Sequence, residues 1–83
     1  MTFEQFQATR LSTPLPRAHA IATVGEGVLR DDTVAIHTYR DPEDEMVYLE
    51  ELGDGSFYMI YGFGEATGDF ESVERSLYNA VCD

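Results

Sequence analysis

The densest set of potential ligands in this chain is Asp41-Pro42-Glu43-Asp44-Glu45. Closely spaced carboxylates are what a hard cation such as calcium needs. Counted from Asp41, however, the run has no glycine at its sixth position and no acid at its twelfth, so it is not an EF-hand loop. A solvated acidic turn is the commoner fate of such a run. His37 lies in a strand-like stretch and would move a proton if an acid stood beside it on a neighbouring strand. A lone strand histidine is more often structural. His19 has no partner that the sequence identifies. Cys82 has no base near it in sequence to make a reactive thiolate. Residues 62–68, GFGEATG, superficially resemble a glycine-rich phosphate loop. They lack the lysine such a loop uses, and Glu65 and Asp69 would repel phosphate. No nucleophile motif is present. The sequence therefore assigns no catalytic residue, no metal ligand and no cofactor.

Charge says more. The chain has no lysine; its five basic residues are all arginine, and the net charge is −11. Residues 1–40 balance four acids against four arginines, whereas residues 41–83 hold twelve acids and only Arg75. A surface of this sign repels phosphate backbones and anionic lipid, so neither nucleic acid nor membrane is an expected partner. One cysteine permits no intrachain disulfide, which suits a reducing compartment. The opening MTFEQFQATR lacks the long apolar core of a signal peptide, and no run approaches the roughly 18 apolar residues that span a bilayer. A cytoplasmic location is the expectation. With 43% hydrophobic and 12% aromatic residues the chain should fold rather than stay disordered, and 83 residues suffice for one small domain.

The elements that would position these groups centre on residues 46–62, MVYLEELGDGSFYMIYG. Two apolar-rich runs flank Asp54-Gly55, a strong signal for a two-residue hairpin turn. That turn would pair Leu49 with Ile60 and Tyr48 with Tyr61. Val47, Leu49, Tyr58 and Ile60 would then share a core face. Tyr48, Leu52, Phe57, Met59 and Tyr61 would share the other with Glu50. Residues 33–40, TVAIHTYR, read as a preceding strand, with Ile36 and Thr38 facing opposite to His37 and Tyr39. Asp41-Pro42 supplies favourable turn chemistry between them.

Thr2 and Gln5 match a capping box for a first helix running to about Arg10, with Phe3 and Phe6 on its inner face. Pro14 and Pro16 end it. Residues 17–24 fit a helix or a strand equally, and Val28-Leu29 suits a short strand. Residues 63–67 suit a further strand. Asp69 should cap a last helix over 70–81 with Phe70, Val73, Leu77, Ala80 and Val81 as its apolar stripe, and Glu71 is spaced to pair with Arg75. The expected fold is α+β: an N-terminal helix, a three- to four-stranded antiparallel meander, and a C-terminal helix packed on the sheet.

That order resembles the double-stranded-RNA-binding domain, but the second helix there needs basic residues at its start. Here the position reads DFESVER, so the function does not transfer. Three further pieces, Met1-Thr2-Phe3-Glu4-Gln5-Phe6-Gln7-Ala8-Thr9-Arg10, Asp54-Gly55-Ser56-Phe57-Tyr58 and Val73-Glu74-Arg75-Ser76-Leu77-Tyr78, resemble a group of small uncharacterised bacterial proteins. The resemblance covers both ends and supports the helix placements. It implies no activity.

Two function classes follow. One is a small acidic module that binds a basic surface of a partner protein, as inhibitors and nucleic-acid mimics do. Its expected contact residues are Asp41, Glu43, Asp44, Glu45, Glu50 and Glu51 with the aromatic Tyr48, Phe57 and Tyr61. The other is a small-ligand or metal-binding domain, conceivably an enzyme, which would need a pocket with convergent polar groups.

Overall fold

The computed structural model describes residues 1–61 and 64–82; the side chains of Ile60 and Tyr61 also lie outside the description. The fold is α+β. Its elements are α1 (Phe3–Ala8), β1 (Leu15–Pro16), α2 (Arg17–Val24), a 3-10 turn (Glu26–Val28), β2 (Thr33–Arg40), β3 (Met46–Leu52), β4 (Phe57–Tyr61), β5 (Gly64–Gly68) and α3 (Phe70–Val81). The sheet is antiparallel with five strands in sequence order, one more than the expected three or four. The extra strand is β1. Pro16 lacks an N–H, which confines it to an edge, and Leu15 and Pro16 pair there with Ile36 and Ala35. β5 forms the other edge; the expected start of that strand at Phe63 lies outside the described residues, as does Gly62.

Residues 17–24 are a helix. Pro16 stands at its N-cap in extended conformation, and Gly25, at φ +91°, ends it. Residues 26–28 continue as a 3-10 turn rather than the suggested strand, and Leu29 follows in extended conformation. Both faces of the sheet are thereby covered. On one face α1 and α3 bury Phe6, Tyr39, Val47, Leu49, Met59, Val73 and Leu77. On the other, α2 and the residues after it bury Ala20, Leu29 and Ile36. β2 accordingly is buried on successive residues from Ile36 to Tyr39, the pattern of a central strand with no solvent face.

The hairpin between β3 and β4 departs from the expected register by one residue. Leu49 pairs with Met59, Glu50 with Tyr58 and Glu51 with Phe57. A two-residue turn would need positive φ at Asp54, yet Asp44 is the only non-glycine residue described with positive φ. The loop instead spans three residues, 53–55. Gly55 donates its N–H to the Leu52 carbonyl at 3.1 Å, and Leu52 donates to Ser56 at 2.9 Å. Gly55 takes the left-handed conformation at φ +89°, the geometry of a type I turn closed by a glycine bulge. The Asp54 carboxylate accepts the Ser56 N–H at 2.9 Å and fixes the exit. The slip exchanges faces. Met59 and Phe57 join Leu49 under α3, while Tyr58 moves to the α2 face beside Glu50.

The helices follow their caps. Thr2 and Gln5 close the capping box in both directions, and Asp69 accepts the Ser72 N–H at 2.8 Å. On α3, Val73 and Leu77 are buried, but Ala80 is exposed and Glu74 occupies the inner face. Leu77 is 0% exposed in the main core. Leu77→Ala should therefore cost about 2–5 kcal/mol in denaturant unfolding; a loss under about 0.5 kcal/mol would mean α3 does not pack on the sheet. Gly55→Ala should cost about 1–2 kcal/mol in the same unfolding measurement, through its left-handed backbone alone. Unchanged stability of Gly55→Ala would contradict the three-residue loop.

Candidate functional site

The acidic loop is built by its own first residue. The Asp41 carboxylate accepts the N–H groups of Glu43 and Glu45, both at 2.9 Å. The backbone closes as well, with Asp41 N–H donating to the Glu45 carbonyl and Asp44 N–H to the Asp41 carbonyl. Asp44 adopts φ +65°, a conformation an Asp side chain tolerates, and Arg40 donates to its carbonyl at 3.1 Å. The loop's oxygens therefore serve the turn or point to solvent. Among the described residues, no group of three or more His, Cys, Asp or Glu side chains gathers in a way that could hold a metal ion.

The other residues expected at a partner surface are dispersed by the hairpin register. Glu51 and Phe57 lie on the α3 face and are half-buried, and Phe57 packs against the main core. Tyr48 and Glu50 lie on the opposite face, Tyr48 half-buried against the α2 cluster and Glu50 only 5% exposed. The Tyr61 side chain falls outside the description. Among the described side chains of the set, Glu43, Asp44 and Glu45 are the exposed ones, with Asp41 half-buried beside them. The Glu71–Arg75 pair is not formed; Arg75 lies over the Phe3 ring at 3.9 Å.

His37 does meet an acid on the neighbouring strand. Its Nε2 lies 3.0 Å from Glu51 Oε1. The imidazole is buried and flanked by Phe57 and Phe70, with ring centroids at 5.7 and 5.1 Å. Among the described residues neither side chain makes a further hydrogen bond. His19 is exposed on α2. Cys82 is half-buried and unbridged, and burial pushes its thiol up from the ordinary value, away from reactivity.

Two carboxylates are buried, Glu74, which the sequence did not single out, and Glu50, which was expected at a partner surface. Glu74 is 4% exposed; it accepts from the Tyr39 hydroxyl at 2.7 Å and from Gln7 Nε2 at 2.9 Å. Burial first, and then the Glu74 hydrogen bond and charge, drive the Tyr39 hydroxyl far above its ordinary pKa, so it remains a donor. The signal for Glu74 is its spacing, four residues after Phe70 and three before Leu77, inside the apolar stripe. Glu50 has no such network. Neither of its carboxylate oxygens has a hydrogen-bond partner among the described residues. Its signal is strand alternation with Tyr48 in a strand covered on both faces.

Among the described residues no helix is long and apolar enough to cross a membrane. Compared with known proteins, the chain matches no family model, no curated protein and no solved structure.

Burial pushes the Glu50 carboxyl above its ordinary value of 4.5 and Asp32 adds to the rise, while the Arg30 backbone N–H, which faces the carboxylate outside hydrogen-bond geometry, and the Arg30 and Arg17 charges pull against it. The native state thus keeps this proton to higher pH than the unfolded chain does. Stability from Glu50 is greatest below pH 4.5 and is lost as pH rises through the raised value. Glu50→Gln should match the native protein's stability in acid and exceed it at neutral pH, as read by urea unfolding of both proteins over a pH series. A difference between the two that does not change with pH would show that Glu50 carries no raised pKa.

Proposed function

We propose that this chain is a small acidic interaction module that binds a basic surface of a partner protein in a reducing, cytoplasmic setting. One observation carries the reading. The arginines are engaged with rings and carbonyls, which leaves the exposed acids with few internal partners. Arg10, Arg30 and Arg75 lie over the rings of Phe70, Tyr58 and Phe3 at 4.9, 4.3 and 3.9 Å. Arg17 donates to the carbonyls of Arg30 and Thr33. Among the described residues, Arg40 is the one arginine within ion-pair distance of an acid, 3.4 Å from Asp44, and that pair is solvent-exposed.

Exposed acids lie at both ends of the sheet, and others, Glu4, Glu26, Glu65 and Glu71, are spread over α1, the 3-10 turn, β5 and α3. Asp31, Asp32, Asp54 and Asp69 cluster by topology where β2 and β4 begin and β3 and β5 end. Asp54 and Asp69 have structural duties there, since each holds a backbone N–H of a following serine. Glu43, Asp44 and Glu45 stand at the opposite end. The side chains of Glu43 and Glu45 accept no hydrogen bond among the described residues, so they are free to meet a partner. The recognition surface we assign is therefore this loop, shaped by Asp41. Glu50 and Glu51, Tyr48 and Phe57 contribute through the fold rather than by contact. Uncompensated charge of one sign accelerates encounter with its opposite and weakens as salt screens it.

A partner captured from native lysate at low salt should associate quickly, with a rate that falls steeply over a salt series. Glu43→Gln, Asp44→Asn and Glu45→Gln together should slow association and flatten that salt dependence while leaving the melting temperature nearly unchanged. Asp31→Asn with Asp32→Asn, at the other end, should leave the rate close to that of the native chain. A rate indifferent to salt and to the loop variant would reduce the acidity to a solubility feature.

A further inference from the structure

On the α2 face a cavity of about 70 Å³ is lined by Val24, Val28, Leu29, Ile36, Tyr48 and Glu50. Glu50 is 5% exposed, and both of its carboxylate oxygens are buried without a hydrogen-bond partner among the described residues. An ionisable group in that condition is rare in native structures and calls for an explanation. Nearby cations do not supply one. The Arg17 guanidinium is held on the carbonyls of Arg30 and Thr33 at 2.9 and 2.6 Å, and Arg30 is stacked on Tyr58. Neither guanidinium lies within 4.0 Å of a Glu50 oxygen, and the Arg30 backbone N–H that faces the carboxylate falls outside hydrogen-bond geometry. Water fits poorly as well. A buried water needs two to four polar partners, and beyond Glu50 and Tyr48 the lining is aliphatic.

We infer that this cavity is a binding site for a small cationic amphiphile, a primary ammonium on a short branched alkyl body. The ammonium donates to the Glu50 carboxylate, and the alkyl group lies against Val24, Val28, Leu29 and Ile36. A cation satisfies the two orphaned oxygens by charge-assisted hydrogen bonds, which are stronger than neutral ones. The chain's net charge of −11 concentrates cations around it. The apolar wall selects against hydrated metal ions, which bring no surface to bury there. Val28, exposed at the rim, leaves the cavity open to entry from solvent. These residues are separate from the acidic loop, so the site stands or falls independently of the partner reading.

The test is an NMR titration of the full chain with isobutylammonium chloride, matched in ionic strength by sodium chloride, with isobutanol and sodium isobutyrate as controls of the same shape. Isobutylammonium should give saturable shifts confined to the amides and methyls of the lining residues and should raise the melting temperature. Binding should weaken about tenfold or more in Glu50→Gln, which removes the charge but keeps the shape. Val28→Phe, at the exposed rim, should obstruct the mouth and weaken binding with the fold intact. Isobutanol binding as tightly would make this a plain apolar cavity and overturn the inference. So would preferential binding of isobutyrate, which would place the arginines in command of the site. Absence of a saturable shift, or undiminished binding by Glu50→Gln, would overturn it equally.

Discussion

The backbone of Gly55 decides which side chains reach the core. Its left-handed conformation closes a three-residue loop, and that loop sets β4 against β3. Side chains alternate strictly along a strand, so one residue more or less in the loop would exchange both faces of β4 at once. In the observed register Met59 and Phe57 meet α3, and Tyr58 meets Arg30 on the far side. Glu51 comes opposite Phe57, and its carboxylate meets His37 across the β2–β3 pairing that the Asp41 loop joins. The burial of Glu50 and the pairing of His37 are both consequences of how a few loop residues turn.

A lysine-free chain solves a packing problem with its arginines. A guanidinium is flat and weakly hydrated, so it covers an aromatic face where an ammonium would keep its water. Phe3, Tyr58 and Phe70 sit at the margins of the two cores, and each has an arginine over it. The rings are shielded from solvent without a larger core. The cost is electrostatic: cations used as lids do not neutralise acids. The separation of charge along the sequence thus has a structural counterpart, with arginines lying flat on rings and carboxylates standing in solvent at the ends of the sheet.

Much of this was legible in the residues. Thr2 with Gln5 and the cap at Asp69 announced two helices, and the Asp41 turn and β2 followed from their composition. Three things were not legible, each for a physical reason. Alanine-rich residues 17–24 fit both periods, and only the pairing of Leu15 and Pro16 with β2 leaves them a helix. Asp-Gly serves two-residue and three-residue loops alike, so Asp54-Gly55 located the turn without giving its length. Glu74 and Glu50 follow apolar spacing, yet a carboxylate is read as solvent-facing until its partners, or their lack, are seen in space. The acidic loop shows the reverse: its composition suggested ligands, and Asp41 turned out to be tying its own backbone.

Every strand in the sheet lies beside its neighbour in sequence, so the sheet can zip through short loop closures. The clasp between the two terminal helices is different. Gln7 reaches Glu74 across 67 residues, and the Tyr78 hydroxyl donates to the Met1 carbonyl across 77. Ring closures of that length carry the largest entropic penalty in the molecule and are compensated only after the sheet has formed. Parting of the two ends would bare the Val47, Leu49 and Met59 face of the sheet, so closing the chain on itself and covering the main core are one event.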